Sequence, residues 1–302
     1  SSSVIANTII LKLLIFFTEL IGGYYLIKLF EVLKLNRNRI WFLFLNPLWI
    51  IECTGNTHFE GVMLSFLFIA FYFIFSKRTK IAGIFFAVAV QIKLIPLLLL
   101  PFFYRFLGFW KSIVFYGITI SIALAFGFIH LDASNIYNFI ESLTLYFKVF
   151  EFNSLILFAY LEYGRTQYDW GMLWKYGPQL AQISAALIMT LALYGQITDW
   201  KKLFNRMTIA FFIYLMLSST LHPWYVLPLL ALSMFTNYTF AIAWSFTIFL
   251  SYFFYTIGDS SSILVRLFIY LEYFIVVFFF VYEIIKKKPL LPFLNLESAS
   301  VE

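Results

Sequence analysis

The chain has 302 residues, of which 63% are hydrophobic and only 12% charged. A soluble domain of this size has no use for so much apolar surface. The net charge of +6 comes from basic residues in short clusters between apolar runs, which argues against nucleic acid as a partner, and a single cysteine, Cys53, excludes an internal disulfide.

The apolar runs recur along the whole length without period-2 alternation, so a membrane barrel is excluded and a polytopic helical bundle is predicted. Residues 4–33 form the first long run, with Lys12 and Glu19 seven apart on one helix face. Lys28, Lys34, Arg37 and Arg39 follow and mark the cytosolic side by the positive-inside rule. Residues 40–53 then run outward and residues 59–76 return. Between them lies a polar knot, Glu52-Cys53-Thr54-Gly55-Asn56-Thr57-His58-Phe59-Glu60. Lys77, Arg78 and Lys80 are again inside. Residues 81–92 go out to Lys93, and Pro96 and Pro101 predict a break before the return at residues 96–104.

Residues 113–129 run outward into the longest polar connection, residues 130–175. Within it, residues 136–150 have apolar side chains at helical spacing and predict an amphipathic helix in the membrane interface. Glu151-Phe152-Asn153-Ser154, a short apolar stretch and Arg165 come next. Residues 176–197, 208–220, 226–235, 240–257 and 264–285 complete about eleven membrane segments. Residues 1–288 read as one domain and residues 289–302 as a cytosolic tail. The basic clusters fall inside. Glu52, Asn56, His58, Glu60, Lys93, Glu151, Asn153, Arg165 and His222 all fall outside, which points to an extracytosolic site at the membrane surface.

The chemistry is narrowed by what is missing. The sequence has no GxxxxGK[ST] or GxGxxG phosphate loop, no HExxH and no cysteine cluster. Carboxylate, amide, imidazole and cations remain, a set that suits glycosyl transfer to an alcohol: a base takes the acceptor proton and cations stabilise a departing phosphate. Lys93, His222 and Arg165 are candidates for the phosphate. Glu52, Asn56, His58 and Glu60 are candidates for sugar or for a divalent metal, magnesium or manganese. Each also has a plainer reading, with the carboxylates at helix ends, Lys93 snorkelling to head groups, and His222-Pro223-Trp224-Tyr225 as an interfacial helix start.

Taken together, Asn46-Pro47, Glu52, Gly55-Asn56, His58 and Glu60, followed by Lys93-Leu94-Ile95-Pro96, Glu151-Phe152-Asn153-Ser154 and His222-Pro223-Trp224-Tyr225, resemble the GT-C superfamily of membrane glycosyltransferases. The resemblance is closest to the polyprenyl-phosphate-mannose-dependent mannosyltransferases, including bacterial relatives of the enzyme that adds the first mannose to GPI. It implies a GT-C bundle in the membrane, with the bacterial inner membrane favoured over the endoplasmic reticulum, and a polyprenyl-phosphate-linked hexose, mannose, as donor. It also implies a lipid or glycan acceptor, and sugar or acceptor contacts from Glu151, Asn153 and Tyr225 beside those named above. The family's catalytic aspartate lies in the loop after its first transmembrane helix. No residue here matches it, so the chain is expected to be truncated upstream of Ser1. The rival expectation is a transporter or flippase of lipid-linked sugars, which would show a polar path across the membrane and paired repeats.

Overall fold

The computed structural model describes residues 2–130, 133–145, 150–156, 172–257 and 263–291. Arg165, residues 258–262 and most of the expected 289–302 tail lie outside the described residues.

Helix α1 (Ser2–Leu33) runs unbroken through the first apolar run. The next run, predicted as one outward segment, is instead divided. A short turn at Arg37–Ile40 leads into α2 (Trp41–Phe44), and α3 (Pro47–Trp49) then widens into a π turn at Ile50–Gly55. The division has a local cause. Asn46 accepts the Leu48 N–H through its side chain and Pro47 opens the new helix, so the backbone restarts there. Helix α4 (Glu60–Phe75) leaves the π turn at 109° to α3. Helix α5 (Thr79–Ile92) stops at Lys93, and a proline-led turn at Ile95–Leu99 feeds α6 (Leu100–Leu107), as the prolines predict.

Helix α7 (Phe109–His130) is followed by α8 (Ala133–Thr144), the predicted amphipathic helix, with Ile136, Phe139 and Ile140 exposed. Then come α9 (Met172–Leu193), α10 (Trp200–Met216), a turn at Pro223–Val226, and α11 (Leu227–Ser233). Helices α12 (Phe240–Thr247) and α13 (Tyr252–Ile257) flank a tight turn, and α14 (Ile263–Lys286) closes the described chain.

Helices α1, α7 and α14 are long and apolar enough to cross a membrane, and the bent α3–α4 pair makes a fourth candidate. The eleven predicted segments thus include several helices too short to cross by themselves, because prolines and wide or tight turns divide them. Outward-facing Leu13, Phe17, Leu124 and Phe274 are exposed, as lipid contact requires.

Helix α1 packs on α4, α4 on α5 and α5 on α7, while α12 packs on α14. Glycines permit the closest approaches. A Cβ on Gly22 would lie 2.6 Å from the Ser65 Cα, and one on Gly61 would lie 2.2 Å from the Glu19 carboxylate. At the basic end, the buried Arg39 donates through Nη2 to the Thr236 carbonyl oxygen at 2.6 Å. Glu283 receives the Thr239, Phe240 and Leu290 amides there.

Candidate active site

The opposite end of the bundle gathers most of the residues singled out in the sequence. The π turn is the first contributor. Its wide register (Asn56 N–H to the Ile51 carbonyl oxygen, 2.7 Å) turns Glu52 inward, where it is fully buried. Such one-turn π segments recur at functional sites. Thr57, at φ +61, then reverses the chain so that His58 and Glu60 come back beside Glu52. The His58 Nε2 lies 3.5 Å from the Glu52 carboxylate, and Asn56 donates to it at 3.3 Å. Tyr252 of α13 donates its hydroxyl to the other Glu52 oxygen.

Glu60, at the start of α4, is 2% exposed and meets the Lys93 ammonium at the end of α5. Lys93 also lies 6.0 Å from the centre of the Tyr225 ring. His58 stacks on Trp224 at 3.7 Å, and Trp224 stacks on His222 at 4.4 Å. The His222 Nδ1 is 3.0 Å from the Tyr255 hydroxyl. Burial first, then the neighbouring His58 and Lys93, push His222 down to about 4, so its imidazole is neutral at pH 7.

The stretch 150–154 forms the back wall. Phe152 pairs with Thr220 in a parallel bridge and stacks on His222 at 4.8 Å. Asn153 is buried and turned to Glu272 of α14, and Glu151 is half-buried beside it. Glu52, Asn56, His58, Glu60, Lys93, His222 and Tyr225 therefore form one cluster, with Asn153 directly behind it.

Other participants were not picked out from the sequence. Glu19 was placed on one helix face with Lys12 and given no role. It is buried and accepts from Thr54 at 3.2 Å, while Lys12 two turns earlier donates to the Gly55 carbonyl oxygen at 2.8 Å. Tyr252, Tyr255 and Glu272 were passed over. Glu272 did carry a signal, as one of two carboxylates within an apolar run. The two tyrosines carried none, being two among 20 in the chain.

Among the described residues no three His, Cys, Asp or Glu side chains converge on a point that would hold a metal ion. The buried carboxylates are met by Lys93, Tyr252 and Asn56 instead, so the donor set does not fit a magnesium or manganese site. An apolar cavity of about 330 Å³ lies between α6, α9 and α10. Its walls include Leu97 and Leu98, just beyond Lys93, and Ser218 and Ser219, just before His222.

Residues 1–108 match the family model described as alpha-(1->6)-mannopyranosyltransferase, N-terminal domain. This part of the chain is similar to a mannosyltransferase. The match spans α1 to α6 and so takes in Glu19, Glu52, Asn56, His58, Glu60 and Lys93. It agrees with the sequence resemblance on mannosyl transfer. No curated protein and no solved structure matches the chain.

Proposed function

We propose that this protein is an integral-membrane mannosyltransferase of GT-C type, in which residues 1–288 act as one domain. It moves mannose from a polyprenyl-phosphate donor to a lipid or glycan acceptor, on the extracytosolic face of a bacterial inner membrane. The observation that carries the reading is the meeting of Lys93, His222 and the Glu52–Glu60 knot, in a chain whose first 108 residues match a mannosyltransferase domain.

A donor of this kind needs no nucleotide cradle, in keeping with the missing phosphate loops. Its isoprenoid end suits the apolar cavity, whose walls at Leu97 and Ser219 are close in the chain to Lys93 and His222, and its phosphate suits those two side chains. In the reaction the bond between the anomeric carbon and the phosphate oxygen breaks, and a bond to the acceptor oxygen forms with inversion. The acceptor proton passes to a base, and polyprenyl phosphate leaves. Lys93 supplies positive charge to the departing phosphate. Neutral His222, its Nδ1 held by Tyr255, supplies a hydrogen bond. Glu52, Asn56, His58 and Glu60 hold the mannose hydroxyls, with Glu151 and Tyr225 as further sugar or acceptor contacts and Asn153 supporting them from behind, and Arg165 is a third ligand for the phosphate.

The test uses the full-length protein in lipid vesicles, given polyprenyl-phosphate mannose or a nucleotide mannose. The expected result is mannosylated acceptor and free polyprenyl phosphate from the first donor only. Lys93→Ala and His222→Ala should each lower the rate by about 10²-fold, the scale of one lost preorganised donor. Transfer from the nucleotide sugar alone would overturn the reading. So would passage of the lipid-linked sugar across the bilayer without product, which is transport.

A further inference from the structure

Glu272 has no part in the chemistry above, yet it is fully buried in the middle of α14, between turns that bury Ile269 and Val276. A carboxyl group at such depth is costly unless its oxygens are matched. They are matched by two segments distant in sequence. Trp244 of α12 donates its indole N–H to Oε1 at 2.8 Å. The Asn153 side-chain amide lies 3.2 Å from each carboxyl oxygen. The next residue on the helix, Tyr273, donates its hydroxyl to the Asn153 carbonyl oxygen at 2.6 Å. Helix α14 therefore grips both the side chain and the backbone of Asn153.

The grip falls on a turn. Asn153 has φ +49, a left-handed conformation that asparagine and aspartate adopt more readily than other residues with a side chain. The turn at Asn153 decides where the preceding backbone goes. Phe152 donates its N–H to the Ser219 carbonyl oxygen at 3.2 Å, and Leu221 donates to the Phe152 carbonyl oxygen at 2.8 Å. That bridge ends one residue before His222 and sets the Phe152 ring against the imidazole, 4.8 Å between centroids.

We propose that the Glu272–Asn153 pair is a positioning device: by fixing the turn at Asn153 it carries Phe152 against His222 and sets the plane of that imidazole in the site. The functional weight of the inference rests on His222 as a donor-phosphate ligand, but its test reads the ring itself.

The chain has three histidines, so a histidine-labelled sample in detergent gives a small set of ring-proton NMR signals, and His222→Gln assigns one of them. In the unaltered protein the His222 signals should be shifted by the Phe152 and Trp224 rings. Asn153→Gly keeps the left-handed backbone and removes the amide. Glu272→Gln keeps the size but turns an N–H₂ group towards a donor. Each should move the His222 signals towards those of a free histidine, while His58, stacked on Trp224, stays in place and reports an intact fold. The paired swap Asn153→Asp with Glu272→Gln restores one donor facing one acceptor, and Asp tolerates the left-handed turn. It should return the His222 signals to their original position. In transfer assays the single variants should lose about tenfold and the swap should regain it. Unmoved His222 signals in both single variants would overturn the proposal, as would His58 and His222 moving together or a swap that fails to restore. Absence of any transfer activity would count against the proposed function only, because the ring signals decide the positioning role by themselves.

Discussion

The Lys93 ammonium, at the last turn of α5, is bonded to the Glu60 carboxylate at the first turn of α4, and Glu60 is only 2% exposed. Removing one member of such a pair strands the other. Lys93→Ala should lower stability by about 3 kcal/mol, the low end for breaking a buried pair. Adding Glu60→Gln should recover most of that loss in thermal unfolding of the solubilised protein, without recovering mannosyl transfer. Equal stability in the single and double variants would mean that the stranded carboxylate costs nothing.

His222 gives a pH dependence with a definite sign. Its folded value of about 4 lies below the ordinary 6.5. Between those values the unfolded chain holds the extra proton, so acidification favours unfolding across that window and leaves this contribution constant above it. The unfolding temperature should fall from pH 6.5 towards pH 4.5, and fall less steeply in His222→Gln. Identical slopes would assign the effect to another group.

The close approach of α1 and α4 depends on Gly22, where a Cβ would lie 2.3 Å from the Ser65 hydroxyl oxygen. Gly22→Ala should cost about 1–3 kcal/mol through overpacking. Gly117→Ala, with nothing within 4 Å of the added carbon, should leave stability unchanged or raise it by up to about 1 kcal/mol through helix propensity. Matched unfolding midpoints for the two variants would contradict the α1–α4 packing.

The two ends of the bundle should face opposite sides of the membrane. Thr57 lies in the polar knot and Thr79 beside Lys77, Arg78 and Lys80, while native Cys53 is fully buried and silent to reagent. In intact cells an impermeant thiol reagent should label Thr57→Cys and spare Thr79→Cys. The reverse pattern would invert the proposed face of the reaction.

The apolar helical class of the molecule and the breaks at its prolines were legible from the chain alone. Long apolar runs have one stable form in a bilayer, and Pro96, Pro101 and Pro223 remove backbone donors at fixed positions, so those breaks were readable locally. The separation of basic clusters from Glu52, His58, Lys93 and His222 was equally readable, because it is a property of order along the chain. The division after Ile40 was misread as one straight segment. Hydropathy does not register an asparagine cap or a π turn, and both Asn46 and Ile50–Gly55 act through hydrogen-bond register.

Only the tertiary structure decided which groups meet. Glu52 finds Tyr252 two hundred residues away, Glu60 finds Lys93, and Asn153 finds Glu272 across 119 residues. No periodicity encodes those pairings. They arise because a buried carboxylate in an apolar bundle must be matched by whatever donor the packing of α4, α5, α13 and α14 brings within reach, and that choice belongs to the assembled helices.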